Sequence, residues 1–163
     1  MAGRAAVDLL GVVEHEHDHL VRMFTDIRSQ FDSIASEDSP PQDFYREAID
    51  DLDTALEEML EHFDQEEQIV FPAIEGFRPD LAARISKLAC VHEEICSKTR
   101  RLREVMCDMD ELTSDPEEAR SLVEFLCHTL TAHMTAEFEL FVDALKDVDA
   151  AERQALLLKL ASI

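Results

Sequence analysis

The sequence predicts an all-α fold: an up-down-up-down four-helix bundle with a short C-terminal fifth helix. Apolar residues recur at helical spacing in four long blocks. Helix breakers are scarce, with 3 glycines and 5 prolines among 163 residues. The blocks are joined by short breaks, which makes successive helices antiparallel neighbours.

The first block runs from about Ala5 to Ile34, with Leu10, Val13, His17, Leu20, Phe24, Ile27, Phe31 and Ile34 on one stripe. ASEDSPPQ ends it, punctuated by Pro40 and Pro41. The second runs from about Asp43 to Phe71 through Ile49, Leu52, Leu56, Met59, Phe63, Glu66 and Val70, and Pro72, Gly76 and Pro79 close it. The third spans about Asp80 to Leu112, with Leu81, Ile85, Leu88, His92, Ile95, Thr99, Leu102 and Met106 facing inward. The fourth opens at SDPEE, where Ser114 or Asp115 caps the helix and Pro116 fits its first turn. It continues through Leu122, Leu126, Leu130, His133, Glu137, Phe141 and Leu145. The bundle thus covers about 5–146, and a fifth helix covers about 149–162 with Leu156, Leu157 and Leu160. One domain spanning 1–163 is expected, long enough to bury a core.

The formal charge of −22 excludes two classes of partner. Such a surface repels phosphate backbones and anionic lipid, so neither nucleic acid nor a membrane is expected. Asp8 interrupts the N-terminal apolar run, so no signal peptide is expected. Cys90, Cys96, Cys107 and Cys127 form no CxxC pair, which suits a reducing, cytoplasmic compartment.

The stretch EHEHDHL, Glu14 to Leu20, places histidines at alternate positions. Successive helical residues turn about 100°, so His17 opposes His15 and His19. His17 falls on the apolar stripe, and His15 and His19 share the outward face with Asp8, Arg22 and Asp26. His15 to His19 also reads as HExxH, the zinc-protease helix signature. That reading needs a cleft and a third ligand, and nothing nearby in sequence supplies them.

His17 has company. His62 and Glu66 are four apart on helix two, and His133 and Glu137 are four apart on helix four, while His92 lies on the inner stripe of helix three. Measured from the expected bundle end near Ala5, Glu75, Pro79 and Lys146, the four histidines lie 12 or 13 residues in. At about 1.5 Å per residue they share one plane roughly 20 Å deep. Buried without partners, these groups would each cost several kcal/mol. Six mixed N/O donors are too many for one tetrahedral zinc and suit two metals, each with two histidines, bridged by Glu66 and Glu137. A metal-free polar network is the competing account, and the repeat of HxxxE in matching places argues against it.

HFDQEEQIVFP and HMTAEFELF resemble the two halves of a hemerythrin-like HHE cation-binding domain. The run His17 to Phe24 is similar to that family's first-helix ligand segment, and His92 matches its helix-three histidine. The resemblance covers roughly residues 7–145. It implies a non-haem di-iron centre, two iron ions bridged by oxygen and carboxylate, with ligands His17, His62, Glu66, His92, His133 and Glu137. Oxygen-carrying members have HxxxH on helix three and HxxxxD on helix four. Here Cys96 follows His92, and helix four carries HxxxE, so the chain looks like the four-His, two-Glu branch and simple oxygen transport is in doubt. Members of that branch act in oxygen or iron sensing, nitric oxide handling, peroxide removal and iron-sulfur cluster repair. The repair proteins among them carry an extra N-terminal cysteine-containing domain, which this chain is expected to lack. The ferritin pattern, ExxH twice, is rejected because among the inward histidines only His17, with Glu14, fits it.

The implied partner is a small diatomic or peroxide molecule, admitted past an apolar wall of Phe24, Phe63, Ile95 and Phe141. Cys96 reads first as a small core residue and second as a thiol close to the metals. Enzyme and sensor both remain open. A sensor would present its C-terminal helix, through Leu156, Leu157 and Leu160, to a protein partner or a second copy; the plainer role of those leucines is to lid the bundle.

Overall fold

A computed structural model describes residues 2–34, 43–110, 116–146 and 148–160. All described elements are helical: α1 (Ala2–Ile34), α2 (Phe44–Gln65), a π turn (Glu66–Val70), α3 (Phe71–Phe77), a 3-10 turn (Pro79–Leu81), α4 (Ala82–Asp110), α5 (Pro116–Ala144) and α6 (Ala150–Leu160). The caps expected at Ser114 or Asp115 and the punctuation at Pro40 and Pro41 lie outside the described residues, as do Leu112 and Ser162 and the side chains of Leu10, Val13, Ile34 and Leu160.

Paired residues give the topology. His19 meets Glu58 and Gln30 meets Asp51, so α1 and α2 run antiparallel. Glu67 meets His92 and Asp53 meets Arg103, which orients α4 against the α2 rod. Arg84 pairs with Asp143 and Arg101 with Glu118, which orients α5 against α4. Cys127 donates to the Phe24 carbonyl, closing α5 onto α1. The ring is therefore α1–α2–α4–α5, up-down-up-down as the short connections require.

The core has two parts. One joins Leu20, Phe24, Phe63, Ile95, Leu130 and Met134 with residues deeper in the bundle. The other joins Val70, Phe71, Leu88, Leu140, Phe141 and Leu156 at the opposite end. Along α4 the first part resumes at Ile95 and the second ends at Leu88; along α5 the switch falls between Met134 and Leu140. A polar layer fills that gap.

One expectation about the second rod needs correction. Pro72 does not close it: the chain continues through the π turn into α3 and reaches Phe77. Pro72 sits in the first turn of α3, and the Phe71 N–H reaches back to the Glu66 carbonyl, one residue further than in an α-helix. The wider turn makes room for the pyrrolidine ring where an α-turn would clash with it. Arg78 then ends the rod and donates to the carbonyls of Asp143 and Lys146 at 2.7 and 3.1 Å, satisfying the last turn of α5.

Asp149 caps α6, its Oδ1 accepting from the N–H groups of Ala151 and Glu152, each at 2.8 Å. α6 folds back so that Leu156 and Leu157 are buried against Val70, Phe71 and Ile74. Those two leucines lid the bundle and are not a free surface; Leu158, at 63% exposure, is what the helix shows to solvent.

Leu126, with 0% exposure, stands for the deeper core. Leu126→Ala should destabilise the metal-free chain by about 2–5 kcal/mol. Leu158→Ser should stay within about 0.5 kcal/mol. Urea unfolding of the two variants checks this, and equal effects would contradict the packing.

Candidate metal centre

The six expected side chains converge. His17, His62, His92 and His133 are 4%, 8%, 2% and 3% exposed, and Glu66 and Glu137 are wholly buried. They occupy the gap between the two apolar layers. Helix period explains the placement: His62 with Glu66, and His133 with Glu137, project together one turn apart. His17 and His92 come from the two rods between them. His15 and His19 turn outward, as the same period requires.

The imidazole nitrogens face carboxylate oxygens or one another, and the two carboxylates also lie against each other. Glu66 Oε1 lies 2.8 Å from His62 Nε2 and 3.7 Å from His17 Nε2. Its other oxygen lies 3.4 Å from His92 Nε2. Glu137 Oε2 lies 3.5 Å from His17 Nε2 and 3.4 Å from His133 Nε2. His92 Nε2 and His133 Nε2 face one another at 2.9 Å, where only one of the two nitrogens can carry a proton.

The protein leaves these atoms without proper partners. His17 Nε2, His62 Nε2, His133 Nδ1 and all four oxygens of Glu66 and Glu137 are buried with no hydrogen bond. The 2.8 Å approach of His62 to Glu66 is short enough for one, but the angles are wrong, so it counts as a Coulombic contact only. Orphaned donors and acceptors at this depth cost about 1–3 kcal/mol each, more when charged. A cation fits the set. Two ligand atoms at adjacent positions on one ion, each about 2.1 Å from it, lie about 3 Å apart, which is the spacing found here. Two groups could hold a metal ion: His17, His62, Glu66 and Glu137, and His92, His133 and Glu137.

The electrostatics agree. Burial drives His17 down to about 4 and His92 to about 3, with neighbouring imidazoles adding to the fall. His62 is lowered by burial too. Burial and the adjacent Glu137 push Glu66 well above the usual carboxylate range. Burial also works to raise Glu137, but the nearby imidazoles of His133 and His17 outweigh that electrostatically and hold it low. The metal-free pair therefore shares one proton, and burial holds His17, His62 and His92 in the neutral form, the form in which imidazoles ligate.

Sequence reasoning missed Glu67, Phe71 and Glu16 as supports, and it placed Phe63 in the wall without its stacking on His92. Glu67 Oε1 accepts a hydrogen bond from His92 Nδ1 at 2.7 Å, which turns the Nε2 lone pair toward the cluster. Its signal was the second glutamate of HFDQEE. Phe63 stacks on His92 at 3.8 Å and 8°, and Phe71 stacks more distantly, at 5.8 Å and 15°. Glu16 Oε2 stands 3.9 Å from His62 Nδ1. The expected wall of Phe24, Phe63, Ile95 and Phe141 is buried throughout. Cys96 is buried in the apolar core, and that burial pushes its thiol up, away from thiolate. The four cysteines are free. No described helix is long and apolar enough to cross a membrane.

Residues 8–145 match the family described as the hemerythrin HHE cation binding domain. No curated protein and no solved structure matches the chain.

The lowered histidines make stability depend on pH. An unfolded histidine takes its proton near 6.5, whereas His17 in the fold resists to about 4. The unfolded state therefore binds protons first as pH falls. The stability contribution of His17 and His92 is complete above 6.5 and is lost below it. Glu66, raised instead, contributes in the opposite sense, and relief of surface repulsion also opposes the loss. Both are common to the chain and a His17→Leu/His92→Leu variant. Between pH 7 and 5 the metal-free chain should lose on the order of 2–4 kcal/mol relative to that variant. Parallel urea-unfolding curves would contradict this.

Proposed function

Because the chain belongs to the hemerythrin HHE cation-binding family, we propose that its buried cluster holds two iron ions and that the centre binds or reacts with oxygen, peroxide or nitric oxide. The observation that carries the reading is the way the carboxylates are shared. Glu66 offers one oxygen to His17 and His62 and the other to His92. Glu137 faces His17 and His133. Each carboxylate thus serves both histidine pairs, as two cations side by side require. Mixed imidazole and carboxylate donors suit iron.

When bound, iron supplies electron exchange with small oxygen- or nitrogen-containing molecules. The chain supplies the rest. Glu66 and Glu137 offset positive charge in a site with little water. Glu67 keeps the proton of His92 on Nδ1, away from the cluster. Phe63 and Phe71 fix the His92 ring between them and shield it. Among the described residues, nothing but the six donors offers an acid or base at the centre itself, so specificity rests on size and polarity.

A second reading, sensing without turnover, draws on one contact. α6 rests on the π turn that carries Glu66, as well as on α3 and α1. A shift of Glu66 on ligand binding would reach α6 directly, and a partner could read it there. Repeated turnover of peroxide or nitric oxide favours the reactive centre; a stable stoichiometric adduct favours the sensor.

Protein made in iron-sufficient cells should contain two irons per chain and absorb in the near-ultraviolet and visible as a carboxylate-bridged ferric pair does. One zinc and no such absorption would overturn the di-iron reading. Glu67→Gln should keep the fold but weaken metal retention against a chelator by about 10- to 100-fold. Unchanged retention would remove Glu67 from the site.

A further inference from the structure

The outward pair His15 and His19, set aside by the central cluster, faces a groove of its own. This groove lies between α1 and α2 and has a volume of about 480 Å³. Its lining includes His15, His19, Glu16, Glu58 and Glu61, with no lysine or arginine, and it reaches His62 of the buried cluster at its floor. From these residues we infer that the groove is a second cation site, in which His15, His19 and Glu58 bind one divalent ion of the zinc type, separate from the buried centre.

Helix geometry supplies the first part of the argument. Residues four apart on a helix stand one above the other, so two imidazoles at that spacing can reach one ion. Both rings are exposed, and among the described residues His15 has neither hydrogen bond nor ion pair, which leaves it free to turn. The antiparallel neighbour supplies the second part. Glu58 on α2 brings Oε2 to 3.1 Å from His19 Nε2. For bonds of about 2.1 Å, that is the separation of two adjacent ligand atoms on one ion. A nitrogen and a carboxylate oxygen are thus already spaced for a shared cation. The exposed His15 ring, one turn away, has to swing in to add the third donor, since among the described residues the donor groups gathered as they stand are both in the buried cluster. The groove leaves room for water at the remaining positions.

Charge supplies the third part. Glu16 and Glu61 add negative potential to the walls, on a chain whose overall charge of −22 draws cations to its surface. Imidazole nitrogen makes the site prefer zinc, nickel or copper over magnesium or calcium.

The same geometry limits what the site does. The glutamate within HExxH is Glu16, and its carboxylate turns toward His62 Nδ1, at 3.9 Å, on the way to the buried cluster. It does not stand over the His15–His19 pair as the base of a zinc protease would. The site binds; it has no hydrolytic base.

The test is zinc titration by calorimetry at pH 7.5, on the chain with its central metal in place, while visible absorption tracks that metal. One zinc per chain should bind with the central absorption unchanged. His15→Ala/His19→Ala should weaken that zinc by about tenfold or more, and Glu58→Gln should weaken it several-fold. Alanine is the best helix former, so the double variant at exposed positions keeps the fold. No zinc uptake, or equal uptake by the double variant, overturns the site. Loss of the central metal along with the zinc in that variant overturns its separateness. A chain that takes up this zinc but never shows central iron would sink the di-iron reading and leave the outer site standing.

Discussion

Glu66 and Glu137 lie side by side, wholly buried, among four imidazoles and between two apolar layers. Two carboxylates so placed repel each other and have lost their water. The protein offers them nitrogen lone pairs as readily as protons, and few correctly aimed hydrogen bonds. The arrangement is tolerable in one of two ways. A shared proton quiets the pair in the metal-free chain, or cations replace that proton and use every donor at once. The rest of the structure serves the second solution. Four rods are needed because four histidines must approach from four sides. Both apolar layers are needed because either one alone would leave the polar plane open to solvent.

The site is built asymmetrically on a symmetric plan. α2 and α5 contribute the same HxxxE pair, and α1 and α4 one histidine each. The supports differ. His92 is gripped by Glu67 and two phenyl rings. His62 and His17 meet edge to face at 5.1 Å, and behind His62 stand Glu16 at 3.9 Å and a tilted Phe63 ring at 6.0 Å. One half of the cluster is therefore held rigidly, and the other backs onto an open groove.

Much of this was legible in the sequence because it follows from helical period alone. The period chose His17 over His15 and His19, and it put Glu66 below His62 and Glu137 below His133. It also buried Leu156 and Leu157 against something apolar, though whether that was this bundle or another chain depended on tertiary packing. The π turn was hidden for a different reason. A wide turn depends on which backbone N–H reaches which carbonyl, and Pro72 looks like a stop unless the turn before it is known to be wide. Glu67 was hidden because its role lies across the helix interface, on a histidine 25 residues away. Period shows which residues look inward; it does not show which of them meet.

The π turn has a consequence for how this chain can change. One extra residue in a helix rotates everything beyond it by about 100°, and a four-rod core allows no such rotation. Between Gln65 and Phe71 the rotation has already been absorbed. The stretch before the turn is indexed to the partner rods, while α3 is indexed to Phe141, Leu145 and α6. The two stretches keep separate registers within one continuous rod. Lineages of this fold are thus free to rebuild the capped end, in length and in sequence, without disturbing the spacing of the donors, and the turn marks the seam where such rebuilding starts.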